Sequence, residues 1–307
     1  MASAADEFFS SPAWDDKAAA ELDMRMRRVP KKSRLKRYSN KAWALFYKSD
    51  NDPVRQRAAI TLIERGVDED GVDADQAAFE LVTAAGYAAT VGDRARAIAL
   101  ARRSIAFTPR PLHVGRVSAH ELIARCLTDG GEPGARAAWE AYYLRREMRT
   151  EGRWQLPAYD DLAGREAVDA SGAPVHDPDD AAEGIVVIYH ASEPPEPAVP
   201  GIMKGDIASL DALDRHYRAT KPSCERKWAP RAVFKEDYLL GTHLPQLGAY
   251  VGRVLVGTAG GRWRVEAPLM RSRVVVGKKA IDPFRAAYDA IYFEASLADF
   301  ARSVTKG

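Results

Sequence analysis

The sequence predicts a mostly helical α+β protein, in which a stack of helical repeats precedes a smaller α+β domain. Apolar residues recur with the 3.6-residue period of helices up to about residue 150. A segment rich in Asp, Ala, Gly and Pro then shows no periodicity, and short strand-like and helical segments alternate after it. This change of pattern predicts two domains.

Composition limits the classes of protein that fit. The 307 residues are 46% hydrophobic and 29% charged, with a formal net charge of +2, so no global field draws the chain to nucleic acid or membrane. The two cysteines form neither a disulfide framework nor a zinc motif. The N-terminus lacks the basic and apolar regions of a signal peptide, and no apolar run approaches the ~20 residues of a membrane span. We therefore expect a cytoplasmic protein that does not bind membranes.

Four regions follow from these patterns. We expect a basic and aromatic N-terminal arm and helix in residues 1–52, helical repeats in 53–150, a linker in 151–183, and an α+β domain with an antiparallel hairpin in 184–307. An abrupt change of composition between two periodic regions is typical of a domain boundary.

The N-terminal region is the strongest local concentration of positive charge. Nine Lys or Arg residues lie between Arg25 and Lys41 with no acid among them, and four aromatic residues lie within or just after this run. Basic side chains beside aromatic rings can hold single-stranded nucleic acid. Pairing with the preceding acids, or simple solvation, explains the charges equally well. The candidate contacts are Arg27, Arg28, Lys31, Lys32, Arg34, Lys36 and Arg37.

Two helix starts are clear in the repeat region. Asp52 can cap a helix that begins at Pro53 and runs towards Gly66. Asp73 and Gln76 have the spacing of a capping box for the next helix.

The segment from Gln76 to Pro111 resembles a tetratricopeptide repeat, a 34-residue helix-turn-helix unit. Its small and apolar positions match that repeat in spacing, although Leu81 stands in place of the usual tryptophan and Ala88 in place of the usual tyrosine. A second, weaker unit follows to about residue 145, with a longer turn. The matching positions are Leu81, Ala84, Ala85, Ala88, Gly92, Ala97, Ala101, Ser104 and Pro109.

The resemblance implies a concave surface lined by the first helices of the repeats, which binds a peptide or a helix of another protein. On the polar side of the helix from Gln76 to Thr90, it implies Glu80, Thr83 and Tyr87 as partner contacts. An ordinary alanine-rich helical stack is the alternative.

The middle of the chain offers one candidate for chemistry. "GIVVIYH" is short, apolar and β-branched, which predicts a buried strand, and His190 would then lie at the end of that strand, where side chains face clefts. A capping histidine explains it as well. The cluster from His176 to Asp180 is typical of a solvated turn, so we expect no metal site there.

The glycines of "LGAYVGRVLVGTAGGRW" are predicted to be structural. A nucleotide-binding loop needs a strand before its glycines and a helix after them, whereas here a helix comes first and a strand follows. Gly248 and Gly252 lie four residues apart and would let another element approach the helix closely. Gly257 is expected to end the helix, and we expect no nucleotide cofactor.

The C-terminal pattern predicts a hairpin formed by "RWRVEAP" and "RSRVVVG", then a helix with Asp282 as its cap and Pro283 as its first residue. This succession resembles a small uncharacterised bacterial α+β domain, some examples of which occur near toxin-immunity loci. An acid that often follows the second helix glycine in that domain is replaced by Arg253.

Together these patterns favour a protein-protein interaction module, an adaptor or immunity-like protein of a bacterial system, over an enzyme. No catalytic set, cofactor or metal is predicted. The alternatives are a nucleic-acid-binding protein that uses the basic arm, or an enzyme with a site near His190.

Overall fold

A computed structural model describes residues 4–107, 114–190, 198–218, 231 and 234–306. The chain divides into two compact units, with the first running to Gln155 and the second beginning at Leu156. The described residues are mostly helical and include one small antiparallel sheet, so the predicted mostly helical α+β class is confirmed.

The first unit consists of helices. They are α1 (Ala4–Ser10), α2 (Asp16–Met26), α3 (Lys31–Tyr47), α4 (Pro53–Val67), α5 (Ala74–Thr90), α6 (Arg94–Phe107), α7 (Val114–Gly130) and α8 (Ala135–Arg149). The predicted caps are present. The carboxylate of Asp52 accepts a hydrogen bond from the backbone N–H of Val54, and the carboxylate of Asp73 accepts one from the backbone N–H of Gln76. Gly66 does not end α4, which continues to Val67.

Helices α3 to α8 form three successive hairpins, in the pairs α3–α4, α5–α6 and α7–α8. The first helices of these hairpins begin at Lys31, Ala74 and Val114, at intervals of 43 and 40 residues. These intervals exceed the 34 residues of a tetratricopeptide repeat. The resemblance to that family therefore remains a prediction, and its closing position, Pro109, lies outside the described residues.

Small side chains allow the closest approach between α5 and α6. Ala84, Ala88, Ala97 and Ala101 are completely buried. The hydroxyl of Ser104 on α6 donates to the carbonyl of Ala78 on α5 at 2.7 Å, which satisfies a buried polar group without widening the contact.

The described part of residues 1–52, a region predicted as an arm and a helix, forms three helices, and a buried lysine on the third bonds to the backbone at the end of the first. Lys41 on α3 has no exposed surface, and its ammonium group donates to the carbonyls of Phe8, Ser11 and Ala13 at 2.9–3.1 Å. Burial lowers its pKa to about 8. One member of the basic run is therefore part of the core.

The second unit combines helices with the sheet. Its helices are α9 (Tyr159–Ala163), α10 (Pro178–His190), α11 (Ile207–Tyr217), α12 (Leu244–Ala259), α13 (Pro283–Phe293) and α14 (Leu297–Thr305). Its strands are β1 (Arg262–Arg264), β2 (Arg273–Val276) and β3 (Lys279–Ile281). A helical turn at Glu236–Tyr238 and a π-helical turn at Leu239–His243 lead into α12. The predicted cap Asp282 accepts from the backbone N–H of Arg285, and Asp206 caps α11 by accepting from the backbone N–H of Ser209.

The prediction of a strand at "GIVVIYH" is wrong, because these residues form the C-terminal half of α10. Pro178 opens that helix, and its buried residues Ala181, Ala182, Ile185, Val186 and Tyr189 recur with helical spacing. Packing of this apolar face against α12 outweighs the strand preference of the β-branched residues.

Residues 151–183, predicted as a linker, also differ from that expectation, because they contain α9 and the start of α10. Pro245 lacks an N–H group, so it cannot bond to the carbonyl of Gly241 within the helix. That carbonyl instead accepts from the backbone N–H of Val168 at 3.0 Å. The proline thus leaves an acceptor that helps to hold the segment in the second unit.

The glycines of α12 have the structural role that the sequence predicts. A Cβ at Gly248 would lie 2.4 Å from the Phe284 ring, and one at Gly252 would lie 2.2 Å from the Trp263 ring. Gly257 does not end the helix, which continues to Ala259 before Gly260 in the left-handed region.

The predicted hairpin is present, with Trp263 opposite Val274 in the antiparallel pair β1–β2. β3 adds a third strand that the sequence pattern did not indicate, with Val275 opposite Ala280. Val274 is fully buried, whereas most other strand residues are partly or fully exposed. The sheet is therefore small, and its strands β1 and β2 contact α12.

Candidate functional site

A groove of about 610 Å³ runs between α3 and α5, the first helices of the first two hairpins. Its floor includes Ile63 of α4. The residues that line its sides are Ser39, Asn40, Trp43 and Tyr47 of α3, and Phe79, Glu80, Thr83 and Tyr87 of α5. All three predicted partner contacts belong to this set.

The two sides of the groove follow the same pattern. On each helix the lining residues occupy positions i, i+1, i+4 and i+8, and each residue of α5 lies 40 positions after its counterpart on α3. Residues at these positions lie on one face of a helix. The groove is therefore formed by corresponding faces of two neighbouring hairpins.

Aromatic side chains are unusually exposed in this groove. Trp43, Tyr47 and Phe79 expose 49%, 47% and 55% of their surface. Large side chains of this kind contribute most of their free energy when they are buried, and several of them together on a surface are typical of interaction sites. The groove therefore presents apolar surface that the fold itself does not use.

Tyr87 has a different role from the exposed contact that the sequence predicted. It is only 3% exposed, and its ring stacks on Phe46 with centroids 3.8 Å apart. The ring of Tyr47 meets Tyr87 edge to face at 5.7 Å and lies 5.7 Å from the ring of Trp43. Tyr87 thus anchors a connected row of rings, and only part of it faces the groove.

Glu80 is the one charged residue among the groove's lining residues. Burial raises the pKa of its carboxyl, and interaction with the Ser39 hydroxyl acts in the opposite direction. Among the described residues, no lysine or arginine forms an ion pair with it. The groove therefore combines aromatic rings with a half-buried carboxylate that lacks a cationic partner within the described chain.

The α3 side of the groove was missed at the sequence level. The sequence pattern places Trp43 and Tyr47 only beside the basic run, as aromatic residues that would contact nucleic acid. No local signal marks α3 as the first helix of a hairpin. The 40-residue correspondence between the two helix faces was the signal that could have found them.

The seven predicted nucleic-acid contacts are not one continuous free surface. Arg34 pairs with Glu69 at 2.8 Å and Lys31 with Asp70 at 3.1 Å, while the guanidinium of Arg37 lies over the Phe9 ring. The exposed members beyond Lys31 are Arg27, Arg28, Lys32 and Lys36. Three of the seven therefore make contacts within the first unit.

His190 is not at the end of a strand, which removes the reason for proposing chemistry there. It is the exposed last residue of α10, and the segment that follows it, 191–197, lies outside the described residues. Cys224 lies outside them too, whereas Cys126 is buried.

The described residues contain neither a candidate metal cluster nor a helix suited to span a bilayer. No group of three or more His, Cys, Asp or Glu side chains there is arranged to hold a metal ion. Within the same part of the chain, no helix combines the length and apolar character needed to cross a bilayer. Comparison of the sequence and structure with family models, curated proteins and solved structures gave no match.

Proposed function

We propose that the protein is an interaction module that binds a segment of another protein in the groove between α3 and α5. The observation that carries the proposal is the convergence of Trp43, Tyr47 and Phe79, each about half exposed, on one groove. A bound segment would bury these rings, and buried aromatic residues dominate the binding free energy of protein interfaces.

The helical hairpins support this role. Successive hairpins place equivalent helix faces side by side, and a segment lying across them can contact both. The tetratricopeptide-like character of the stack, and an adaptor or immunity-like role in a bacterial system, are parts of the same proposal. Binding of this kind requires no catalytic residue.

Site-specific photocrosslinking tests the proposal. A photoreactive phenylalanine analogue at Phe79 should yield a protein adduct in lysate of cells that express the natural gene. The same analogue at Val265, a residue of the second unit that is 57% exposed, should not yield it. The captured protein is then purified and titrated against the full chain.

The variants decide whether the groove is the binding site. Trp43→Ser should weaken binding of the purified partner by at least about tenfold, the loss expected when one central aromatic contact is removed. Leu144→Ser, which removes a 54% exposed side chain of the same unit outside the groove, should leave binding unchanged. Equal binding by both variants would contradict the proposal.

Nucleic acid is the main competing partner. If nuclease treatment abolished capture, and if affinity fell steeply between about 50 and 200 mM salt, phosphate contacts would account for binding. Loss of that binding on replacing Lys32 and Lys36 with alanine would assign it to the basic surface and reject the groove.

A further inference from the structure

We infer that the groove between α3 and α5 recognises a lysine or arginine side chain of the partner segment, held against the rings of Trp43 and Tyr47 with Glu80 as its counter-charge. This inference rests on the proposed function and specifies the chemistry of the partner.

The charge of the groove favours a cationic ligand. Glu80 is its single charged lining residue, and no cation of the described chain pairs with it. A carboxylate that is partly removed from water without a partner is costly, and a cation supplied by a ligand lowers that cost. The charge that the groove lacks is positive.

The arrangement of the rings also favours a cation. Trp43 and Tyr47 lie with centroids 5.7 Å apart and planes inclined at 44°, and Tyr87 meets Tyr47 at 81°. Ring faces attract cations because their π-electrons are negative, and rings at several inclinations can surround one cation. Neutral apolar ligands gain nothing from this electrostatic part of the interaction.

A neighbouring residue of the chain already shows this contact. The ammonium group of Lys48 lies 5.4 Å from the centroid of the Trp43 ring and donates to the carbonyl of Ser10 at 3.2 Å. The Trp43 ring is therefore accessible to a cation.

One feature favours a different ligand. Lys36 is exposed and lies one turn before Asn40 on the same face of α3, where it would attract an acid. It is not among the residues that line the groove. An acidic peptide is accordingly included in the test.

The test uses three capped pentapeptides, Ac-Ser-Leu-X-Leu-Ser-amide, in which X is arginine, citrulline or glutamate. Citrulline keeps the planar shape of arginine but carries no charge. Each peptide is titrated into the full chain, and binding is followed by the NMR signal of the Trp43 indole N–H, assigned from its loss in Trp43→Phe. We expect the arginine peptide to bind at least about tenfold more tightly than the citrulline peptide, a ratio that corresponds to about 1.4 kcal/mol.

Two variants test whether Glu80 is the counter-charge. Glu80→Gln, which preserves shape, should reduce the ratio between the arginine and citrulline peptides towards one. Glu132→Gln removes an exposed acid that lines a separate pocket of the first unit, and it should leave the ratio unchanged. A ratio near one in the natural protein, tighter binding of the glutamate peptide, or no saturable binding at about 10 mM peptide would each overturn the inference.

The outcome is distinguishable from failure of the proposed function. A captured partner that loses affinity in Trp43→Ser but binds equally well to Glu80→Gln would leave the groove as the docking site and reject cation recognition alone.

Discussion

The α5–α6 contact of the first unit and the α12 contacts of the second unit are made by small residues of different size, and that size decides whether a ring fits between the elements. In the first unit the contact between α5 and α6 is made by alanines, including Ala84 and Ala101. In the second unit Gly248 and Gly252 of α12 leave space for the rings of Phe284 and Trp263. The second unit therefore places large rings directly against a helix backbone.

The consequence for the first unit is visible at its surface. A helix-helix contact made by methyl groups is too narrow to admit a ring, so large aromatic residues belong to other faces of the helices. Phe46 and Tyr87 are buried between α3 and α5, whereas Trp43 and Phe79 remain about half exposed beside them. In the first unit these four rings lie between α3 and α5 or at the surface beside them, whereas the two rings at α12 lie against glycines.

The largest effect expected in the second unit comes from filling the glycine contact. In Gly248→Ala the new Cβ would lie 2.4 Å from the Phe284 ring and 2.8 Å from the Phe284 Cα, which cannot move without shifting α13. Overpacking of this kind costs about 3 kcal/mol. We expect the free energy of unfolding of the second unit to fall by this amount and that of the first unit to stay unchanged. Peptide-resolved hydrogen exchange measures both.

Gly257→Ala is the matched control. Gly257 is exposed on the same helix, and a Cβ there would meet nothing within 4 Å. Because alanine favours the helix over glycine, the second unit should gain about 0.5–1 kcal/mol. Equal stability of the two variants would show that the glycine contact does not limit packing.

The sequence predicted those features that depend on nearby residues. It indicates the caps Asp52, Asp73 and Asp282 because a capping carboxylate bonds to an N–H group two or three residues ahead. The reversed order of helix, glycines and strand likewise identified the structural role of Gly248 and Gly252.

Features that depend on distant residues were missed. The segment 185–190 has the composition of a strand, and only its packing against α12 makes it helical. Val168 is fixed by a carbonyl more than 70 residues away, whose availability follows from Pro245. For the groove, the sequence indicated Glu80, Thr83 and Tyr87 on α5 but not Trp43 and Tyr47, because no local pattern shows that α3 lies beside α5.

We expect a fall in pH to change the stability of the two units differently. The size of this change lies between those expected for Gly248→Ala and Phe79→Ser. His243 is fully buried, and burial lowers its pKa to about 3, while a histidine in the unfolded chain titrates near 6.5. Between these values the unfolded state binds more protons, so stability falls as pH falls, by about 1.4 kcal/mol per pH unit. We expect the second unit to lose about 2 kcal/mol between pH 6.5 and 5.

The sign is opposite for Glu80 in the first unit. Its pKa is raised, so its folded form binds protons more readily, and its contribution to stability is lost as pH rises through that pKa rather than as pH falls. The pKa of Asp214 in the second unit is also raised by burial, so the histidine is isolated by comparison with His243→Phe. That variant should lack the loss below pH 6.5, and an unchanged pH profile would reject this role for His243.

The smallest effect on stability is expected at the groove. Its size distinguishes residues of a docking surface from residues that stabilise the fold. Phe79 is 55% exposed, so Phe79→Ser should change the free energy of unfolding of the first unit by no more than about 0.5 kcal/mol. Leu81, two residues later on the same helix, is completely buried, and Leu81→Ala should cost about 2–5 kcal/mol. Urea unfolding of both variants gives the comparison. If Phe79→Ser cost as much as Leu81→Ala, the Phe79 ring would contribute to folding, and its exposure in the groove would no longer indicate a surface kept for a partner.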